Sequence, residues 1–250
     1  MGAKRLVGLI IVLAFTICLP LFVSMPKPVF HELGRFYLTN SMFGRYSTSS
    51  PESVTSIVWD YRGLDTLFET SVFFLAIIGG ITVFRLGREK EEKAKELKPI
   101  SKPLPEPVRN VTKIVVAMIL AVSASIALHG QLTPGGGFQG GSALAVAPLL
   151  LIAVYSKRVL EKNGLDKTRA IIIRSIGLFG IAVLVLIPLL FGYFVMQNRP
   201  FYPGWGLGVP LGGSLVYYNF FEFLAVGAGF TAVFLLLSIP ESFYGGEEGA

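Results

Sequence analysis

The sequence predicts an all-α, polytopic membrane protein of about six transmembrane helices, and three observations lead there. Apolar residues make up 52% of the 250-residue chain and charged residues only 15%, against roughly 25% charge in an ordinary globular domain. With a mean hydropathy of +0.64, the chain holds more apolar side chain than a core of this size buries, so lipid is the expected solvent. Six apolar stretches have the ~17–25 residues that a bilayer crossing needs. Basic residues gather on alternate connections between those stretches, as the positive-inside rule requires.

The six spans are expected near Leu6–Val23, Leu64–Leu86, Val111–Leu128, Phe138–Val154, Ser175–Met196 and Tyr218–Ile239. Of the 22 basic residues, two precede the first span, nine lie in 85–113 and six in 157–174. The other side keeps Lys27, Arg35, Arg45, Arg62 and Arg199. Both termini are therefore expected in the cytoplasm of a multi-pass protein of the cell membrane. Lys4 and Arg5 before an apolar run also fit a signal peptide, but Leu21 to Pro26 lacks a small-x-small cleavage pattern, so the first span is read as retained.

A net charge of +6 does not indicate nucleic acid, because the cations sit in short clusters between spans, at headgroup level. One cysteine, Cys18, and two histidines exclude a disulfide framework and a cysteine-based iron–sulfur or zinc site within this chain. No metal site and no resident cofactor are expected, and the chain is not expected to be an enzyme by itself.

The stretch Gly87–Asn110 joins a charged helix-favouring run to Pro99, Pro103, Pro105 and Pro107, the composition of a semi-rigid linker. It divides the chain into a two-helix module, 1–98, and a four-helix module, 99–250. The outer connection Ser24–Gly63 is long for a plain loop and is expected to pack on its neighbours or lie at the interface. Gly79, Gly80, Gly177, Gly180, Gly227 and Gly229 are expected to let helices approach closely, and Pro148 and Pro188 to kink their spans.

Four ionisable residues, Asp65, Glu69, Glu222 and His129, fall at one membrane face and are the candidate ion-pathway residues. Asp65 and Glu69 share a helix face at i, i+4 spacing, with Glu69 roughly 7 Å inside the second span at 1.5 Å per residue. Such groups at depth usually face a partner or a water-filled path, so one reading is a relay that hands Na⁺ or H⁺ across the outer half. The plainer reading has Asp65 capping its helix and pairing with Arg62, and His129 bonding at a helix end. That reading is preferred for these two, the relay for Glu69, and Glu222 is open to both.

Between the third and fourth spans lies His129-Gly130-Gln131-Leu132-Thr133-Pro134-Gly135-Gly136-Gly137-Phe138-Gln139-Gly140-Gly141. Its formal G-x-G-x-x-G is not a dinucleotide site, since membrane helices flank it instead of a βαβ unit. Pro134 and the three glycines make a tight turn between antiparallel helices. The next helix then presents free N–H groups at its positive end. A hairpin packing on neighbouring helices is preferred here to direct ion contact.

With Pro134, Gly135, Gly136, Gly137, Phe138, Gly140 and Gly141, this segment resembles the B subunit of multi-subunit Mrp-type sodium/proton antiporters and its counterpart in archaeal membrane-bound hydrogenases. The family pattern is Gly-His-x-x-Pro-Gly-Gly-Gly-Phe; here Gly130 matches, Gln131 takes the His position, and His129 lies two residues earlier. Upstream, Asp60, Arg62, Asp65, Thr66 and Glu69 resemble the end of the large Mrp A subunit, a separate small subunit in the hydrogenases. Phe68 stands where that pattern has Gly. The resemblance implies two neighbouring subunits fused at the linker, in a non-redox part of a sodium- or proton-translocating module. It implies other antiporter subunits as partners, beside the lipid bilayer and a peripheral iron–sulfur or nickel–iron electron-transfer arm. A structural subunit that only ties antiporter subunits together is the alternative.

Overall fold

The computed structural model describes residues 12–14, 16–17, 31–44, 46–84, 104–198 and 212–239. These are helical with no strand among them, and five helices are long and apolar enough to cross a membrane. The all-α, polytopic expectation holds. The first expected span, Leu6–Val23, lies mostly outside the described residues; 12–14 and 16–17 within it are helical. Most of the linker 87–110 also lies outside them.

The chain forms two compact units, 1–36 and 37–250. Helix α1, Glu32–Asn40, runs across the boundary between them. In the second unit follow α2 (Ser53–Ser56), a π-helical turn (Ile57–Tyr61), α3 (Gly63–Val83), α4 (Glu106–Leu128), α5 (Gly137–Tyr155), α6 (Lys157–Lys162), α7 (Lys167–Leu190) and α8 (Leu215–Leu237).

Two spans start earlier than their apolar runs. α4 begins at Glu106, not near Val111, because Pro105 and Pro107 open the helix instead of extending the linker. Proline is tolerated in a first turn, where its missing N–H has no intrahelical partner anyway. α7 runs Lys167–Leu190, not Ser175–Met196. Asp166 caps it, accepting from the Arg169 backbone N–H at 2.7 Å, and so draws Lys167, Arg169 and Arg174 into the helix. Its far end closes just past Pro188, where Gly192 takes φ +76° and Tyr193 N–H returns to Pro188 O at 3.0 Å.

α8 is the centre of the bundle, packing on α7 and α5, while α5 packs on α4 and α3 reaches the bundle mainly through α8. Small residues make this possible. At Gly177 of α7 an added Cβ would lie 2.6 Å from Phe221 O and 2.7 Å from Ala225 N of α8. Gly79 and Gly80 do not serve that purpose among the described residues, since a Cβ at either meets nothing within 4 Å. Along α3 only Gly63, Thr70 and Ile77 are buried, a single stripe at seven-residue spacing. Phe68, Val72 and Leu75 face outward. Such apolar exposure is what a bilayer or an adjoining helix covers.

The outer connection packs on its neighbours as expected. Ser50 Oγ donates to Gln131 O at 2.6 Å and Thr55 Oγ1 to Gly130 O at 2.6 Å. These bonds satisfy carbonyls that the tight turn leaves without helical partners. Asn198 Nδ2 donates to Thr48 O at 2.8 Å, while its Oδ1 accepts from Ser214 N and Oγ. Tyr61 Oη donates toward Asn40 O and Tyr46 O at 2.9 and 3.0 Å. Burial, reinforced by Asp60 and Tyr37, pushes its phenol up to about 12, so it stays a donor.

Candidate functional site

The turn between α4 and α5 places an orphan helix start against α8. Gly136 takes φ +153°, a conformation that favours glycine, and its N–H donates to Ile126 O at 3.2 Å. α5 then opens with Gly137 and Phe138, whose N–H groups have no carbonyl one turn earlier to bond. Two side chains of α8 accept them. Phe138 N–H donates to Glu222 Oε2 at 2.9 Å, and Gly137 N–H reaches Asn219 Oδ1 at 3.4 Å. Asn219 and Glu222 share a face at i, i+3 spacing. Trp59 Nε1 also donates to Asn219 Oδ1, at 3.1 Å, and its indole stacks on Tyr218 with centroids 4.7 Å apart.

Absence of a side chain at Gly137 permits this contact. An added Cβ would fall 2.6 Å from Glu222 Cβ and 2.7 Å from its Oε2, and would strike Asn219 O. The turn is therefore a packing hairpin, as the sequence suggests, and its glycines also form a wall of the site.

Beside these bonds lies a cavity of about 130 Å³, lined by Thr66 and Glu69 of α3, Gln139 of α5, Asn219 and Glu222 of α8, and the backbone at Gly135 and Gly136. Glu222 is 6% exposed, at the inner wall. Glu69 is exposed, at the rim, and forms no hydrogen bond or ion pair among the described residues. Asn219 Nδ2 is buried and likewise has no hydrogen-bond partner among them. Val54, Val58, Trp59 and Phe138 contribute to a mixed lining around the two carboxyl groups, one enclosed and one at the mouth, and titratable groups so placed usually face a partner or a water-filled path.

The other two candidates lie elsewhere. Asp65 pairs with Arg62 at 2.5 Å, both exposed, and does not line the cavity. His129 is exposed, with Nδ1 3.0 Å from Ser125 O. It borders a separate apolar groove with Tyr217 and Phe220.

Three further polar residues, outside the four candidate ion-pathway positions, are buried in the bundle. Asn219 stands one turn before Glu222 in an otherwise apolar helix, and that spacing is a readable signal. Gln131 is fully buried in the turn, and its side-chain amide has no partner among the described residues. Arg174 was counted with a basic loop, yet it is 3% exposed inside α7. Its Nη2 donates to Phe74 O of α3 at 3.0 Å, and its Cζ sits 4.2 Å over the Phe74 ring. It reaches α3 past Gly229 of α8, where a Cβ would be 3.5 Å from Arg174 Cδ. Arg174→Ala removes a charged hydrogen bond and a cation–π contact that hold α3, and is expected to cost about 1–3 kcal/mol. Arg174→Met keeps most of the packing and is expected to cost less. Thermal unfolding in detergent checks both.

The fold and the site define a multi-pass membrane protein with a carboxylate-lined cavity beneath a glycine-rich turn. The chain belongs to the family of domains related to the MnhB subunit of Na⁺/H⁺ antiporters, whose model matches residues 107–232. It is 28% identical over 142 residues to a putative antiporter subunit mnhB2 of Staphylococcus haemolyticus, covering 56% of this chain and 94% of that one. It is 26% identical over 213 residues to an uncharacterized protein of Methanocaldococcus jannaschii, covering 74% and 77%. Two solved structures share the fold. A chain of the membrane-bound sulfane sulfur reductase, an archaeal respiratory membrane complex, superposes with a TM-score of 0.69 at 22% identity, over 96% of this chain and 100% of that one. A chain of the Mrp complex from Dietzia superposes with a TM-score of 0.65 at 17% identity, over 100% of this chain and 27% of that longer one.

Proposed function

We propose that the chain is a non-redox membrane subunit of an Mrp-type Na⁺/H⁺ antiporter module, in a membrane-bound respiratory complex of archaeal type, and takes part in moving sodium or protons. The observation that carries this reading is the meeting of Glu69 and Glu222 at one cavity, on helices far apart in sequence. Membership of the MnhB-related family supports the module. The likeness to a chain of an archaeal respiratory complex supports the assembly. Residues 1–98 and 99–250 are read as two fused modules, and the MnhB-related match at 107–232 lies wholly within the second. Redox chemistry falls to other subunits, because one cysteine and two histidines are too few to ligate an iron–sulfur cluster. Both termini are placed in the cytoplasm, with the carboxylate cavity toward the opposite face.

A second reading, a subunit that only ties antiporter subunits together, has one observation in its favour. From Phe223 to Leu237 α8 carries no ionisable residue, so no carboxylate path continues from Glu222 along that helix. Purification from native membranes through a C-terminal tag tests the assembly. Antiporter-like subunits together with iron–sulfur proteins are the expected companions. Antiporter subunits alone would indicate a plain exchanger, and a lone monomer or homo-oligomer would overturn the proposal.

A further inference from the structure

At the end of the bundle opposite the carboxylate site lies a larger cavity of about 580 Å³, between α6, the start of α7 and the end of α8. Lys157, Arg158, Lys162 and Lys167 line it, against two acidic side chains, Glu161 and Asp166. Both carboxylates are engaged. Glu161 lies 3.5 Å from Lys157 Nζ, and Asp166 caps α7 through the Arg169 N–H at 2.7 Å. With four basic groups against two acidic ones, the lining is net positive. Thr168 and two apolar residues, Leu236 in the last turn of α8 and Ile239 just past its end, complete the wall.

The height of this cavity matters as much as its charge. α7 enters the bilayer from Lys167 and α8 ends at Leu237, so the cavity sits where apolar spans give way to headgroups. A soluble anion needs the cations but has no use for an apolar wall beside them. A phospholipid needs both, with its phosphate oxygens on the lysines and its first acyl carbons on the aliphatic side chains. Basic pockets between helices at this level are suited to such headgroups.

We propose that this cavity binds the phosphate headgroup of an anionic lipid, with Lys162 and Lys167 as headgroup ligands and Leu236 and Ile239 against the acyl chains. One competitor is in the chain itself: Glu241, Glu247 and Glu248 follow Ile239 in sequence, and carboxylates compete with phosphate for lysines.

The test is lipid retention by the full-length chain, taken from vesicles of equal phosphatidylglycerol and phosphatidylcholine and read by native mass spectrometry. The expected result is retained phosphatidylglycerol in preference to phosphatidylcholine, with the preference reduced roughly tenfold or more in the double variant Lys162→Gln, Lys167→Gln. Unchanged thermal stability of that variant would show that the fold is intact. Equal retention of both lipids, or a preference that survives the double variant, would overturn the proposal. Displacement of the lipid by millimolar inorganic phosphate would reassign the cavity to a soluble anion. Retention that appears only after Glu241, Glu247 and Glu248 are changed to Gln would make the chain's own tail the occupant.

Discussion

Glu222→Gln is expected to lower ion transport by the assembled complex about 10- to 100-fold while leaving assembly intact. The amide oxygen of a glutamine keeps an acceptor for the Phe138 N–H, now met by Glu222 Oε2 at 2.9 Å, so the start of α5 stays satisfied. What disappears is the one carboxyl at the inner wall of the cavity that can take up or release a proton or meet a cation as a carboxylate. An interaction with an ionised group is worth about 1.5–3 kcal/mol, and each 1.4 kcal/mol is a factor of about ten in affinity. Glu69→Gln acts at the rim of the same cavity, where its carboxylate is more exposed, and is expected to have the smaller effect of the two. Sodium-gradient-driven proton movement in vesicles holding the purified complex measures both. Full transport in both variants, with normal assembly, would leave the structural reading standing and remove the carboxylates from the mechanism.

Much of this was legible in the sequence because a bilayer imposes simple rules. The apolar stretches located all five described spans, with the ends of α7 misplaced, and an acidic residue inside such a stretch marks itself, as Glu69 and Glu222 do. The start of α7 was not legible from hydropathy. Lys167, Arg169 and Arg174 read as a cytoplasmic cluster, and only the Asp166 cap and the reach of Arg174 to Phe74 show that the helix begins before them. Hydropathy also groups four ionisable residues by their depth at one membrane face. Depth does not say which face of a helix docks, and the i, i+4 spacing of Asp65 and Glu69 does not either, so Asp65, which pairs with Arg62, and His129, which borders another groove, fall outside the site. The turn motif was legible as a turn. Its partner was not, because the bond from Phe138 to Glu222 depends on how α5 docks against α8, a long-range contact that no local pattern encodes.

Gly137→Ala is expected to be the most damaging single substitution, and the reason is rigid geometry. The new Cβ would strike Asn219 O and come within 2.6 Å of Glu222 Cβ, neither of which can swing aside as the end of a flexible side chain does. α5 must back away from α8, and that movement stretches the bonds from Gly137 and Phe138 to Asn219 and Glu222. Overpacking a close helix contact costs about 1–3 kcal/mol, and each buried donor left unsatisfied adds about 1–3 kcal/mol. A loss of roughly 3 kcal/mol or more is a large share of a typical total stability of about 5–15 kcal/mol. The expected readout is a much lower yield of chain in the membrane, a lowered Tm in detergent and failure to recover the complex. Gly79→Ala supplies the control: its Cβ meets nothing within 4 Å, and alanine favours the helix by about 1 kcal/mol over glycine. Equal behaviour of the two variants would mean that α5 does not dock on α8 through Gly137, and the carboxylate cavity built on that contact would go with it.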